Sequence, residues 1–107
     1  MSTQKETIDF ILGKLGHSKY FTTRAMFGEY ALYANGKTVS LVCDDTLYVK
    51  ILPESKELED VCEKGFPYPG AKEYYVVSED QLTSLRELPG IFFKIAEALP
   101  VKKKKLK

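Results

Sequence analysis

RAMFGEYALYANGKTVSLVCDDTLYVK, residues 24–50, sets two turn signals between three short runs rich in aromatic and β-branched residues. The pattern is that of an antiparallel meander. Asn35-Gly36 supplies the two positive φ angles of a type I′ hairpin turn, and Asp44-Asp45 marks the next reversal. Strands are predicted over 21–27, 30–34, 38–43 and 46–52, with a fifth over 74–77. In the third strand Val39, Leu41 and Cys43 alternate with Thr38, Ser40 and Val42; in the fourth, Leu47, Val49 and Ile51 alternate with Tyr48 and Lys50. One face should be apolar and the other partly wet.

An apolar sheet face needs a cover, and the flanking sequence provides helices. Thr3 and Glu6 have the spacing of a capping box, after which Ile8, Ile11, Leu12 and Leu15 form one apolar stripe that stops near Gly16. Beyond Pro53, residues 54–64 have helix-forming composition, with Leu58, Val61 and Cys62 on one side and Glu57, Glu59, Asp60 and Glu63 as a solvated face. The two prolines and two glycines of Gly65-Phe66-Pro67-Tyr68-Pro69-Gly70 dictate a loop that carries two aromatics. Ser78 and Gln81 repeat the capping-box spacing ahead of Leu82, Leu85 and Leu88. Leu88-Pro89-Gly90 then reads as a break, followed by a last amphipathic helix over 91–99. The expectation is an α+β, two-layer domain: an antiparallel meander of about five strands with N-terminal, central and C-terminal helices packed on it.

With 107 residues, 44% hydrophobic and 29% charged, the chain has the size of one domain, expected over 1–100. It has no apolar run long enough to span a bilayer and no signal-like start, which points to the cytoplasm. The net charge of +1 hides an asymmetry: residues 1–100 carry minus four, and the tail 101–107 adds Lys102, Lys103, Lys104, Lys105 and Lys107. Such a tail is expected to be disordered, and it offers sequence-independent affinity for nucleic acid.

Reaction chemistry is hard to assemble from these residues. Asp44 and Asp45 are adjacent in a turn, where aspartates serve local hydrogen bonds rather than acid–base work. Cys43 and Cys62 belong to no C-x-x-C and read as buried thiols, and His17, the one histidine, cannot complete a metal site with two cysteines so placed. Neither Ser40 nor either cysteine has a histidine nearby in sequence, and no glycine-rich loop has the form of a phosphate cradle. No cofactor, metal or catalytic residue is expected. Tyr30, Tyr33, Tyr48, Tyr74 and Tyr75 in strands could form a stacking platform for single-stranded nucleic acid, but few basic residues accompany them, so cross-strand packing is the better reading.

One further pattern is collective. Arg24-Ala25-Met26-Phe27-Gly28, Tyr30, the turn at Asn35-Gly36-Lys37, Leu47-Tyr48-Val49-Lys50, and then Phe66, Tyr68, Tyr74-Tyr75 and Val77 together resemble the N-terminal domain of the TfoX/Sxy family over nearly the whole chain. The resemblance implies helices against an antiparallel sheet, similar in outline to secretion-chaperone-like folds, and a role in competence-type transcriptional regulation without known catalysis. It singles out Met26, Phe27, Gly28, Tyr30, Gly36, Tyr48, Lys50, Tyr74 and Tyr75 as motif residues for structure or interaction. Where the family often has Gly-Gly-Tyr-Gly, this chain has Gly28-Glu29-Tyr30-Ala31, so a positive φ at 29 or 31 would be strained. The family's C-terminal domain is not among these residues, so the chain reads as a stand-alone copy. The expected function is a regulatory or adaptor domain that binds a protein partner, with a transcription factor as the first candidate and nucleic-acid binding through the lysine tail as the alternative.

Overall fold

Asn35-Gly36 and Asp44-Asp45 each set two consecutive residues in left-handed backbone, with φ of 52° and 81° in the first pair and 52° and 59° in the second. Both pairs therefore carry the positive φ angles of a type I′ turn, whose twist matches that of the strands it joins. The computed structural model describes residues 3–16, 19–26 and 29–99. Across these two turns run β2 (Glu29–Ala34), β3 (Lys37–Cys43) and β4 (Thr46–Lys50), with β1 (Phe21–Met26) paired to β2. β6 (Tyr74–Val77) pairs with β4, and β5 (Glu63–Gly65) with β6, all antiparallel, in the order β1-β2-β3-β4-β6-β5.

β5 is a strand where a helix over 54–64 was expected. The helical segment is instead a single 3-10 stretch, Pro53–Leu58. Ser55 organises its start: its buried hydroxyl accepts the Leu52 N–H at 3.0 Å and donates to the Lys50 carbonyl at 2.7 Å. Leu58 and Cys62 then turn inward, leaving Glu63-Lys64-Gly65 free to pair with β6.

The other layer holds α1 (Lys5–Leu15), α2 (Glu79–Ser84) and α3 (Leu88–Ala98). One core cluster joins Ile8, Ile11 and Leu15 of α1, Leu82 of α2, and Leu88, Ile91, Phe92 and Ile95 of α3 to Leu32, Val42, Leu47, Val49, Tyr75 and Val77 of the sheet. Phe21 locks β1 to α3, with its ring 5.1 Å from Phe93 and 6.0 Å from Phe92. Lys37 closes the far end by donating to the carbonyls of Ala96 and Leu99, at 2.8 and 3.1 Å.

Three local expectations change. Gly16 ends α1 in left-handed backbone as read, and Ser78 and Gln81 make their reciprocal capping box, but Thr3 does not cap α1. Its cap comes from across the fold: Asp45 Oδ1 accepts the Gln4 N–H at 2.7 Å and the Thr7 hydroxyl at 2.8 Å. Leu88-Pro89-Gly90 begins α3 instead of breaking a helix, because proline in a first turn has no amide to lose. Finally, the register of β2 on β3 shifts, pairing Leu32 with Ser40 but Tyr33 with Thr38, so Val39 is the extra residue of a bulge. The bulge reverses the side-chain phase. Val39 and Val42 enter the core, while Leu41 and Cys43 turn to the opposite face.

Candidate functional site

All three helices feed the core on one side, so among the described residues the other side of the sheet is helix-free. Its central cross-strand row is Arg24, Ala31, Leu41, Tyr48, Val76 and Glu63, one residue from each strand. The adjoining row sets Lys50 beside Tyr74 and Gly65. The bulge at Val39 gives this face its apolar centre, by bringing Leu41 and Cys43 between the edge residues Arg24 and Glu63.

The loop after β5 folds back over this face. Gly65 permits the close approach: a Cβ there would lie 3.1 Å from Val76 Cγ2 and 3.8 Å from Tyr48 Cε2, so a side chain would press on Val76. Tyr68-Pro69-Gly70-Ala71 closes with Ala71 N–H donating to the Tyr68 carbonyl at 3.1 Å, and Gly70 has φ 86°. Proline second and a positive-φ glycine third define a type II turn. The loop leaves Phe66 60% and Tyr68 53% exposed, the two most exposed large apolar side chains among the described residues. Together with Asp44, Tyr48, Pro67, Pro69 and Ala71 they line an open groove of about 680 Å³.

Negative charge gathers at one end of the groove. Glu29 Oε1 accepts the Thr3 hydroxyl at 2.6 Å and the Asp44 N–H at 2.9 Å, which fixes two carboxylate residues beside Cys43. Burial first, then Glu29 and Asp44, push the Cys43 thiol up, and burial followed by Cys43, Asp44 and Glu29 raises Tyr48. A thiol so placed is held protonated, the reverse of what a nucleophile needs. Glu29 and Ala31 have ordinary extended backbone, since the positive-φ non-glycine residues described are Asn35, Asp44 and Asp45. The expected strain is absent, and Glu29 gains a structural job that glycine could not do.

The residues singled out by sequence do not converge on one place. Tyr48, Lys50 and Tyr74 share the helix-free face; Tyr75 is buried in the core on the other side, and Tyr30 packs against that core. The five strand tyrosines therefore form no single platform. Gly36 serves the β2–β3 turn. Met26 pairs with Glu29 through its backbone, while its side chain, Phe27, Gly28, His17 and the lysines from Lys102 to Lys107 lie outside the described residues. Ser40 is buried with its hydroxyl committed to the Tyr48 carbonyl, and Cys43 and Cys62 are both buried free thiols. Sequence reasoning missed Asp44 and Pro67 as groove residues; the Pro-Gly turn and the exposed Phe-Pro-Tyr-Pro run were the available signal. Among the described residues no set of three or more His, Cys, Asp or Glu is arranged for a metal, and no helix is long and apolar enough to cross a membrane.

A six-stranded antiparallel sheet with one helical layer, one open face and an aromatic loop laid across that face defines a small α+β domain. The chain belongs to the TfoX N-terminal domain family, whose model matches residues 13–92. It is also similar to a protein of Spirochaeta aurantia described as "Uncharacterized 12.7 kDa protein in trpE 5'region", with 33% identity over 103 residues that cover 96% of this chain and 89% of that protein.

Proposed function

We propose that this domain is a non-enzymatic regulatory adaptor of the cytoplasm, which binds a protein partner through its helix-free sheet face and acts in competence-type transcriptional control. The observation that carries the reading is the pair Phe66 and Tyr68, held out over an apolar sheet face by a turn whose backbone geometry is specified by Pro69 and Gly70. Exposed aromatics on a pre-shaped support are the residue types that anchor interfaces, since they need little ordering on binding. The family supports a regulatory setting, and the raised thiol of Cys43 weighs against covalent chemistry on this face.

The test is affinity capture from the source cell with the wild-type chain and with the double variant Phe66→Ser, Tyr68→Ser. The expected result is a partner recovered by the wild type and lost with the variant at unchanged thermal stability. Identical recovery by both proteins would remove the face from the interaction.

A further inference from the structure

Resting on the docking face just described, we infer that the groove takes an extended, proline-containing peptide segment with a lysine or arginine placed to meet Asp44. Three features of the groove select that chemistry. First, its walls are the flat aromatic rings of Tyr48, Phe66 and Tyr68 with the apolar rings of Pro67 and Pro69, surfaces against which proline rings pack without hydrogen bonds. Second, Pro67 and Pro69 have no N–H, so the loop wall cannot serve as the edge for an added β-strand. A polyproline II segment has no internal hydrogen bonds to satisfy and needs no such edge. Third, Asp44 is the one charged side chain in the lining among the described residues, and Glu29 holds its backbone by accepting the Asp44 N–H. A cation at that end of the ligand is complementary, whereas a nucleic-acid phosphate is repelled.

The experiment titrates the full ¹⁵N-labelled chain with blocked octapeptides and follows amide shifts. The probes are Ala-Pro-Pro-Lys-Pro-Pro-Lys-Ala, the same peptide with glutamates for its lysines, the same peptide with glycines for its prolines, and oligothymidylate. The expected result is saturable shifts at Asp44, Tyr48 and residues 66–71 with the first peptide. Affinity should fall by about tenfold, the scale of one charged contact, in the glutamate peptide and also in an Asp44→Asn variant. Asparagine tolerates the left-handed backbone at position 44, so the variant keeps its turn. The glycine peptide should bind more weakly than the proline peptide, and raised salt should weaken the lysine peptide. Equal binding by all three peptides, shifts elsewhere on the surface, or preference for oligothymidylate at the groove would overturn the inference. If no peptide binds while partner capture still depends on Phe66 and Tyr68, the docking face stands and this ligand class falls.

Discussion

Tyr75 puts its ring in the core and its hydroxyl at the rim, where Glu59 Oε1 accepts it at 2.9 Å and Lys64 holds the other carboxylate oxygen at 3.0 Å. Burial, then the bond to Glu59, pushes the phenol up to about 12, so its neutral form is favoured by folding. The linked stability is complete below the ordinary value of 10 and declines as pH rises from there toward about 12. Glu59 has the opposite sign. The bond from Lys64, followed by that from Tyr75, lowers its carboxyl, so its contribution is present above the ordinary carboxylate range and lost as pH falls through and below it. Ultraviolet titration of the folded protein should show one of the seven tyrosines ionising near 12, and Tyr75→Phe should remove that step. The same substitution should lower stability by about 1 kcal/mol in urea unfolding at neutral pH. Gly65 offers a second test at this scale. Gly65→Ala is expected to cost about 1–3 kcal/mol by crowding Val76, and to shift the ring resonances of Tyr48.

At the scale of elements, α1 depends on a turn that lies far along the chain. Asp45 Oδ1 caps it, and the Asp45 N–H in turn donates to Thr3 Oγ1 at 3.2 Å, so the β3–β4 turn and the start of α1 hold each other. Asp45→Ala should cost about 1–2 kcal/mol, the loss of a cap plus the strain of alanine in left-handed backbone, and hydrogen exchange should quicken first at the N-terminal turn of α1. Asp45→Asn should recover most of that loss. Five of the six described strands and the Asn35-Gly36 turn were legible in the sequence because β-propensity and turn chemistry are local, whereas the three-residue β5 is too short to carry such a signal. The cap was not legible either, since Thr3 and Glu6 satisfy the local rule while the acceptor that wins is about forty residues away. The phase of β3 failed for a related reason: a bulge is a property of two strands together, and the string from Thr38 to Cys43 alternates plausibly without it. For the candidate site, the loop and its aromatics were readable. Their position over Tyr48 required knowing that the helices occupy only the other face.

For the whole molecule, the two faces of the sheet should respond differently to loss of an aromatic ring. Phe92 lies fully buried among both layers, so Phe92→Ala should destabilise by about 3–5 kcal/mol. Tyr68→Ser should change stability by no more than about 0.5 kcal/mol, and calorimetry of the two variants reads the contrast directly. The Lys37 clasp on Ala96 and Leu99 bears on how the chain is made. Synthesis is vectorial, and every strand leaves the ribosome before α3, whose residues complete the core. During that interval Leu32, Val42, Val49 and Val77 have only α1, α2 and the inward-turned Leu58 and Cys62 to shelter them. A nascent chain arrested before Leu88 should therefore bind a holdase chaperone, and release should follow translation of the segment whose carbonyls Lys37 grips.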